Sequence, residues 1–537
     1  MTATSILNVL DQYQRARIEF AQTVNDLSSR AQNAEYLVKG NAIDLLKPLL
    51  ADPVPSVQNN SALALARLSS HNSQIASTVV QNGVLALVVN NLDKKTSYYK
   101  KSAMLCLKNV GKHNFDLAES VVQSGGLDAI KLCLESFDSS IKEAAACTAA
   151  SIACHNAELA RTVDRAGLVP MLVLCLQDPQ LCLKQNACLA LCEITKHSVD
   201  LAQSVLDAHA TPVLVKLASS HSTKVKTQVY KTLGHICKHS VELSESIVGA
   251  EILPQAMLDM AHPDQTVKRS ATILIRDIVK HNAQFAQLVV NSGGVALLID
   301  HLAEEGGTSV LPAVVTLGYI AAHSEKFSLA LIASNVVPRL AKILEEEAED
   351  HILAATVWTL GHLGRHSPEH VRHLAETHVF TRLVEILVNP NSSEDLKGKC
   401  KATLRFTLQK CTDTNELEPL LHSAPPDIIK HVLGQFSKIL PTDAKARRLF
   451  AASGSLRRIQ EIQAEPGSTL MEYITTINSC YPEEIIRYYT PNYPDALLEQ
   501  LDSYMPRVPS LLSVRKNTQV DAAEATDSAP QDTDCEC

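Results

Sequence analysis

Aromatic residues make up only 4% of this 537-residue chain, with a single tryptophan. Positive charge is not in excess either, since the net charge is −9. A nucleic-acid protein would be strongly basic and would stack bases on aromatic rings that are scarce here. No apolar run reaches the roughly 18–20 residues of a membrane helix. The first 30 residues carry Asp11, Arg15, Arg17 and Glu19 and lack an apolar secretory core, so no signal peptide is expected. There is no CxxC pair; the nearest two cysteines are Cys535 and Cys537. The 14 cysteines are scattered through apolar, helical-looking segments, which predicts reduced thiols in a cytosolic-type compartment. Cys175, Cys182, Cys188 and Cys192 are crowded, but their spacing fits no common zinc site. The patterns GxxxxGK[ST], GxGxxG, HExxH and GxSxG are all missing. The expectation is a protein that is not an enzyme and needs no cofactor or metal.

What is present is length and repetition. A single hydrophobic core stops growing at roughly 250–300 residues, so the chain is several domains or an array. With 46% hydrophobic and 20% charged residues, most of it is globular. Residues 520–537 hold six carboxylates and no Lys or Arg, which leaves the remainder at −3.

A histidine marks the array. His71, His113, His155, His197, His239, His281, His323 and His366 follow at intervals of 42, the last at 43. Six and three residues before each stand apolar positions, such as Leu107 and Val110, or Leu191 and Ile194. That spacing predicts a helix with one buried face. Asn or Ser follows each histidine and predicts an N-cap. Twelve residues on, Gly83, Gly125, Gly167 and Gly293 suit a left-handed turn, as does Asn335, whereas His209, Glu251 and His378 suit it poorly. Each unit therefore reads as a short helix, a turn, a second helix, a loop and a long third helix.

Three helices in about 42 residues is the armadillo pattern. The segment from Val163 to Leu176 resembles the middle of that repeat. The expected fold is all-α: an armadillo-repeat solenoid, a right-handed superhelix of about ten to eleven three-helix repeats with terminal caps. The expected domains are a capping helix at 1–30, repeats over 31–464, a tyrosine-rich C-terminal cap at 465–506 and a disordered acidic tail at 507–537.

The histidines, one per repeat and about 10 Å apart, cannot converge on one metal. They are read as structural, bonding free carbonyls at the end of the third helix, with Lys112, Lys196, Lys238, Lys280 and Arg365 beside them facing the negative end of the dipole. A second series, Lys100, Lys142, Lys184, Lys226 and Lys268, lies thirteen residues before the histidines. Stacked in the groove, these lysines would form a basic stripe for an acidic partner such as tubulin tails. The plainer reading is solvated lysines with their stems packed on apolar neighbours. Tyr481, Tyr488 and Tyr489, within a run of six tyrosines from Tyr473 to Tyr504, are a C-terminal interface or a cap on the last repeat.

Two binding classes remain. Nuclear-import armadillo adaptors carry a Trp and an Asn one turn apart on many third helices. Here the Trp position holds Leu63, Leu105, Cys147, Leu189, Lys231, Ile273 and Val315, and only Trp358 fills it, with His362 at the Asn position. The ladder for basic peptides is absent.

The C-terminal motifs are more specific. His431–Pro441, Ala444–Phe450, Glu465–Gly467 and Ser479–Tyr489, with Asp11–Arg17 at the start, resemble the sperm-associated antigen six family. Those are armadillo proteins of the central apparatus of motile cilia and flagella. The resemblance runs over roughly residues 1–506. It implies a structural scaffold of the axoneme that binds central-pair microtubules and neighbouring proteins and is needed for motility. It implies tubulin and central-apparatus proteins as partners, with self-association open and neither nucleic acid nor membrane involved. The implied location is the axonemal cytoskeleton, with room for a cytoplasmic pool. The alternative is a soluble armadillo cargo or signalling adaptor of cytoplasm or nucleus.

Overall fold

A computed structural model of the chain describes residues 3–304 and 306–489. The tail at 507–537, and Tyr493 and Tyr504 within the tyrosine run, lie outside them. The described residues are helical throughout, with no strand among them. None of their single helices is long and apolar enough to cross a membrane. Contacts divide the chain into two bodies, Met1–Gln435 and Phe436–Cys537, with the division inside the helix Pro426–Ile439.

The first body opens with the helix Ala3–Leu27 and continues as three-helix armadillo units. Ala157–Arg165, Leu168–Cys175 and Leu181–Thr195 are representative. Nine complete units are described, with third helices beginning at Pro55, Ser97, Ser139, Leu181, Thr223, Gln265, Leu311, Asp350 and Glu394. Thr414–Ser423 and Pro426–Ile439 follow without a second helix between them. The expected ten to eleven repeats are thus nine full units in this body. The second body holds the helices Ala444–Ala452, Ser455–Gln460, Thr469–Asn478 and Glu483–Tyr489. In it Phe436 packs on Phe450 with ring centroids 4.6 Å apart.

Each third helix packs against the third helix of the unit before and after. The apolar positions three and six before the histidine are fully buried, as at Leu107, Val110, Leu191 and Ile194. First and second helices meet at a sharp bend, 77° and 75° in the units where they are Ala283–Asn291 with Gly294–Glu304 and Glu325–Ala333 with Val336–Glu346.

The chemistry at the helix ends explains why every unit repeats this geometry. The residue after the histidine caps the first helix: Asn114 Oδ1 accepts from the Leu117 amide at 2.9 Å, and Asn72, Asn156, Ser198, Ser240, Asn282 and Ser324 do the same. Ser367 differs; Pro368 follows it and its hydroxyl turns to His370 Nδ1 at 2.8 Å. The turn between first and second helices has positive φ in every case, from +53° to +85° across Gly83, Gly125, Gly167, His209, Glu251, Gly293, Asn335 and His378. His209, Glu251 and His378 therefore adopt the left-handed conformation despite their side chains. The packing of the two flanking helices imposes it, at about 1–2 kcal/mol each.

The histidines bond carbonyls, and the carbonyls belong to the neighbouring unit. Nε2 of His113 lies 2.7 Å from Ser69 O, that of His155 2.6 Å from Gly111 O, and that of His239 2.7 Å from Thr195 O. His197, His281, His323 and His366 reach Ala153, Cys237, Val279 and Ala321 in the same way. A carbonyl only accepts, so Nε2 carries the proton. The acceptors are last-turn carbonyls, which have no partner within their own helix. His71 reaches Ser28 O, just past the helix Ala3–Leu27, at 2.8 Å. That first helix therefore takes the place of a third helix and begins the ladder.

Two outcomes follow from this geometry. His155→Ala removes the donor and leaves a half-buried carbonyl unmet, a loss of about 1–3 kcal/mol. Urea unfolding should show that loss, whereas His221→Ala, at an exposed position outside the ladder, leaves the midpoint unchanged. Glu251→Gly should raise stability by about 1 kcal/mol in the same assay, because glycine relieves the left-handed strain.

Candidate binding surface

The histidine series holds the stack and does not converge on a site. Among the described residues no group of three or more His, Cys, Asp or Glu is arranged to hold a metal. Cys182 is exposed, while Cys175, Cys188 and Cys192 pack as small hydrophobes. Burial disfavours their thiolates, pushing Cys175 up to about 11 and Cys188 and Cys192 up to about 12.

The lysine series does not lie along one open face. The position thirteen before the histidine points into the seam with the second helix of the following unit. Lys226 shows this most fully: it is buried, and its Nζ meets Asp259 Oδ1 at 2.6 Å. Tyr230 OH donates to the other oxygen of Asp259 at 2.5 Å, and Gln255 Nε2 reaches the same oxygen at 3.2 Å. Burial and then the Asp259 hydrogen bond push the Tyr230 phenol well above its usual range. Lys268 pairs with Glu304 at 2.9 Å, again on the next second helix. Lys100, Lys142 and Lys184 are half-buried and have no ion-pair partner among the described residues. Lys100 and Lys142 sit near enough to Cys133 and Cys175 on the following second helices to favour those thiolates. The first turn of the third helix is a poor place for a free cation, and in the Lys226 unit a buried carboxylate offsets that cost.

The open face of the third-helix layer lies elsewhere. It consists of positions one, four or five, eight and twelve before the histidine, opposite the buried three and six. In the unit of His113 these are Lys112, Lys108, Leu105 and Lys101; in that of His239 they are Lys238, His235, Lys231 and Thr227. The unit of His281 adds Lys280, Arg276 and Arg269. Three carboxylates share this face. Each has a local partner: Glu143 accepts from Asn186 at 3.2 Å, Glu193 pairs with Lys196, and Asp277 accepts from Arg276 at 2.9 and 3.0 Å. Among the described residues Lys101, Lys108, Lys231, Lys238 and Arg269 have no ion-pair partner. The cations crowd one another. Burial and neighbouring Lys108 hold the Lys112 ammonium below its usual range, and burial does the same to Lys280, opposed by Asp277 and reinforced by Arg276 and Lys238. Lys112 and Lys280 also donate to last-turn carbonyls of the previous third helix, Ser70 O at 2.9 Å and Lys238 O at 2.6 Å.

The sequence places Lys112, Lys196, Lys238, Lys280 and Arg365 at the dipole's negative end. Counting the 3.6-residue period outward from the buried pair would have added Lys108, Lys231 and Arg269. Trp358 and His362 lie on this face too, ring centroids 4.5 Å apart, with Tyr319 of the preceding unit edge-on to Trp358 at 5.2 Å. Burial, then Arg365, holds His362 neutral, down to about 4.

In the second body Tyr481 OH donates to Arg447 O at 2.9 Å, and Tyr489 OH to Ala451 O at 3.4 Å. These two tie the C-terminal helices to Ala444–Ala452. Tyr488 is 66% exposed and stacks edge-on with Tyr489.

Lys226→Ala should cost about 3–5 kcal/mol, because it strands a buried carboxylate. Lys184→Ala, with no ion pair to lose, should stay under about 1 kcal/mol. Chemical denaturation of the two variants checks this.

No family model matches the chain. A stretch of 158 residues is 59% identical to sperm-associated antigen 6 of mouse, covering 29% of this chain and 31% of that protein. The human protein of the same name is 58% identical over 158 residues, with the same coverage. The match thus spans about a third of the relatives' length. Among solved structures, the crystal structure of an engineered protein superposes with a TM-score of 0.64 at 19% identity, over 82% of this chain and 98% of that one. This likeness extends to the fold alone.

Proposed function

Given a segment homologous to sperm-associated antigen 6 on an armadillo solenoid, we propose that this chain is a structural scaffold of the ciliary or flagellar axoneme. In this reading it stands in the central apparatus, binds central-pair microtubules and neighbouring proteins, and supports motility. The observation that carries the binding part is the cationic open face of the third-helix layer. A long, nearly neutral body that collects unpaired Lys and Arg on one face attracts an acidic surface. Tubulin is the acidic partner proposed. Lys100, Lys142 and Lys184 would add to the field from the seam. A cargo adaptor for basic peptides is disfavoured, because this face repels basic residues and carries the Trp position only at Trp358.

Microtubule cosedimentation tests the reading. Reversing Lys108, Lys231 and Lys238 together to Glu should weaken binding about tenfold or more, at roughly 0.5–1 kcal/mol per exposed pair lost. Wild-type binding should fall as salt rises. Reversal of Lys100, Lys142 and Lys184 should cost less, since their ammonium groups are half-buried. Unchanged cosedimentation in both triple variants, with helicity preserved, would sink the cationic-face reading. Label lost on detergent extraction of tagged flagella would sink the axonemal one.

A further inference from the structure

The open face changes character toward its C-terminal end. In the unit of His323 its positions are Leu311, Val315, Tyr319 and Ala322, with no charge among them. Beyond them Trp358, Gly361, His362 and Arg365 line one side of a cavity of about 410 Å³, at spacing i, i+3, i+4, i+7. Lys399, Ala402, Thr403 and Phe406 line the other side at the same spacing on the next third helix. That volume falls within the range of pockets that enclose a ligand group, about 300–1,000 Å³. The hollow exists because two positions are small. A Cβ on Gly361 would stand 2.6 Å from Thr403 Oγ1, and Ala402 leaves the opposite wall low. Its walls are aromatic: Trp358 braced by Tyr319 and His362, and Phe406, 54% exposed. At the mouth Arg365 is exposed and turned toward neutral His362, NH1 to Nδ1 at 3.2 Å. Lys399 is paired with Asp395 at 2.7 Å.

We infer that this pocket anchors one large apolar side chain, an aromatic ring, of an extended acidic peptide whose carboxylates lie along the cationic units before it. The inference rests on the cationic-face reading above and adds an anchor and a register to it. The argument is charge complementarity combined with spacing. Lys280 and Arg269, on the open face of the His281 unit, are two units from Trp358. At about 10 Å per unit that is about 20 Å, or about six residues of extended chain at roughly 3.3 Å each. The intervening unit offers only uncharged positions, so the peptide between anchor and acids needs no charge. Arg365 at the mouth favours an acidic residue beside the anchor and disfavours a basic one.

Trp358 is the chain's only tryptophan, so its fluorescence reports on this pocket directly. The probe is a synthetic peptide of consecutive glutamates joined through a Gly–Ser spacer of about six residues to one phenylalanine, made in both chain directions. Anisotropy of a dye on the glutamate end gives affinity independently. The phenylalanine peptide should shift Trp358 emission and bind about tenfold tighter than the same peptide with alanine at the anchor. A spacer of about two residues should remove that advantage, as should Ala402→Leu, which fills the pocket from an exposed position. Equal affinity of phenylalanine and alanine peptides, with Trp358 emission unmoved, overturns the anchor and leaves the cationic face standing. Failure of every glutamate peptide to bind at low salt overturns the cationic face and the anchor together.

Discussion

One hydrogen bond, repeated eight times, sets the stack. A histidine at the end of eight of the nine described third helices gives its Nε2 proton to a carbonyl at the end of the third helix before it or, for His71, of the first helix Ala3–Leu27. An α-helix cannot satisfy those carbonyls itself, and the histidine of the next unit supplies the donor. The ladder therefore fixes the rise and rotation between neighbours, and every other feature inherits that register. The Asn or Ser cap one residue later starts the next helix from the same point. The lysine one residue earlier adds a second donor in the units of His113 and His281.

Once the register is fixed, the surface of each third helix sorts by position. Positions three and six before the histidine are the core. Position thirteen faces the next second helix, so a lysine there is half-buried or, at Lys226, neutralised within the fold. Positions one, five, eight and twelve are left open, and the unpaired cations collect there. A nearly neutral body can thus present a cationic face without excess positive charge, because cations outnumber carboxylates on that face and Glu193 and Asp277 are ion-paired there. One unit without charge on this face, that of His323, then gives way to aromatic walls at Trp358 and Phe406, so the face has a direction along the stack.

The departures from the repeat are local. His209, Glu251 and His378 hold a left-handed turn that glycine fills elsewhere, because the flanking helices, not the residue, determine the angle. Ser367 gives up its cap to His370 where proline occupies the first helical position. These positions carry strain or altered bonding without disturbing the units around them, as expected where each unit contacts only its neighbours.

The sequence by itself determined the helix count per unit, the period, the caps, the turn position and the structural role of the histidines. All of these follow from local chemistry within a few residues of His113 or its equivalents. Motifs such as Ala444–Phe450 resemble the sperm-associated antigen six family. Only the tertiary structure decided which carbonyl each histidine meets, since the acceptor lies 43 to 45 residues away on another unit. The same holds for the cations. Lys226 and Lys231 look alike in the sequence, but one meets Asp259 across the seam and the other faces outward. A buried pair and a free surface charge differ by what stands opposite them, and local spacing does not encode that. The pocket at Trp358 is of the same kind: its far wall, Phe406, and its floor, Thr403, come from the following unit, and packing alone brought them together.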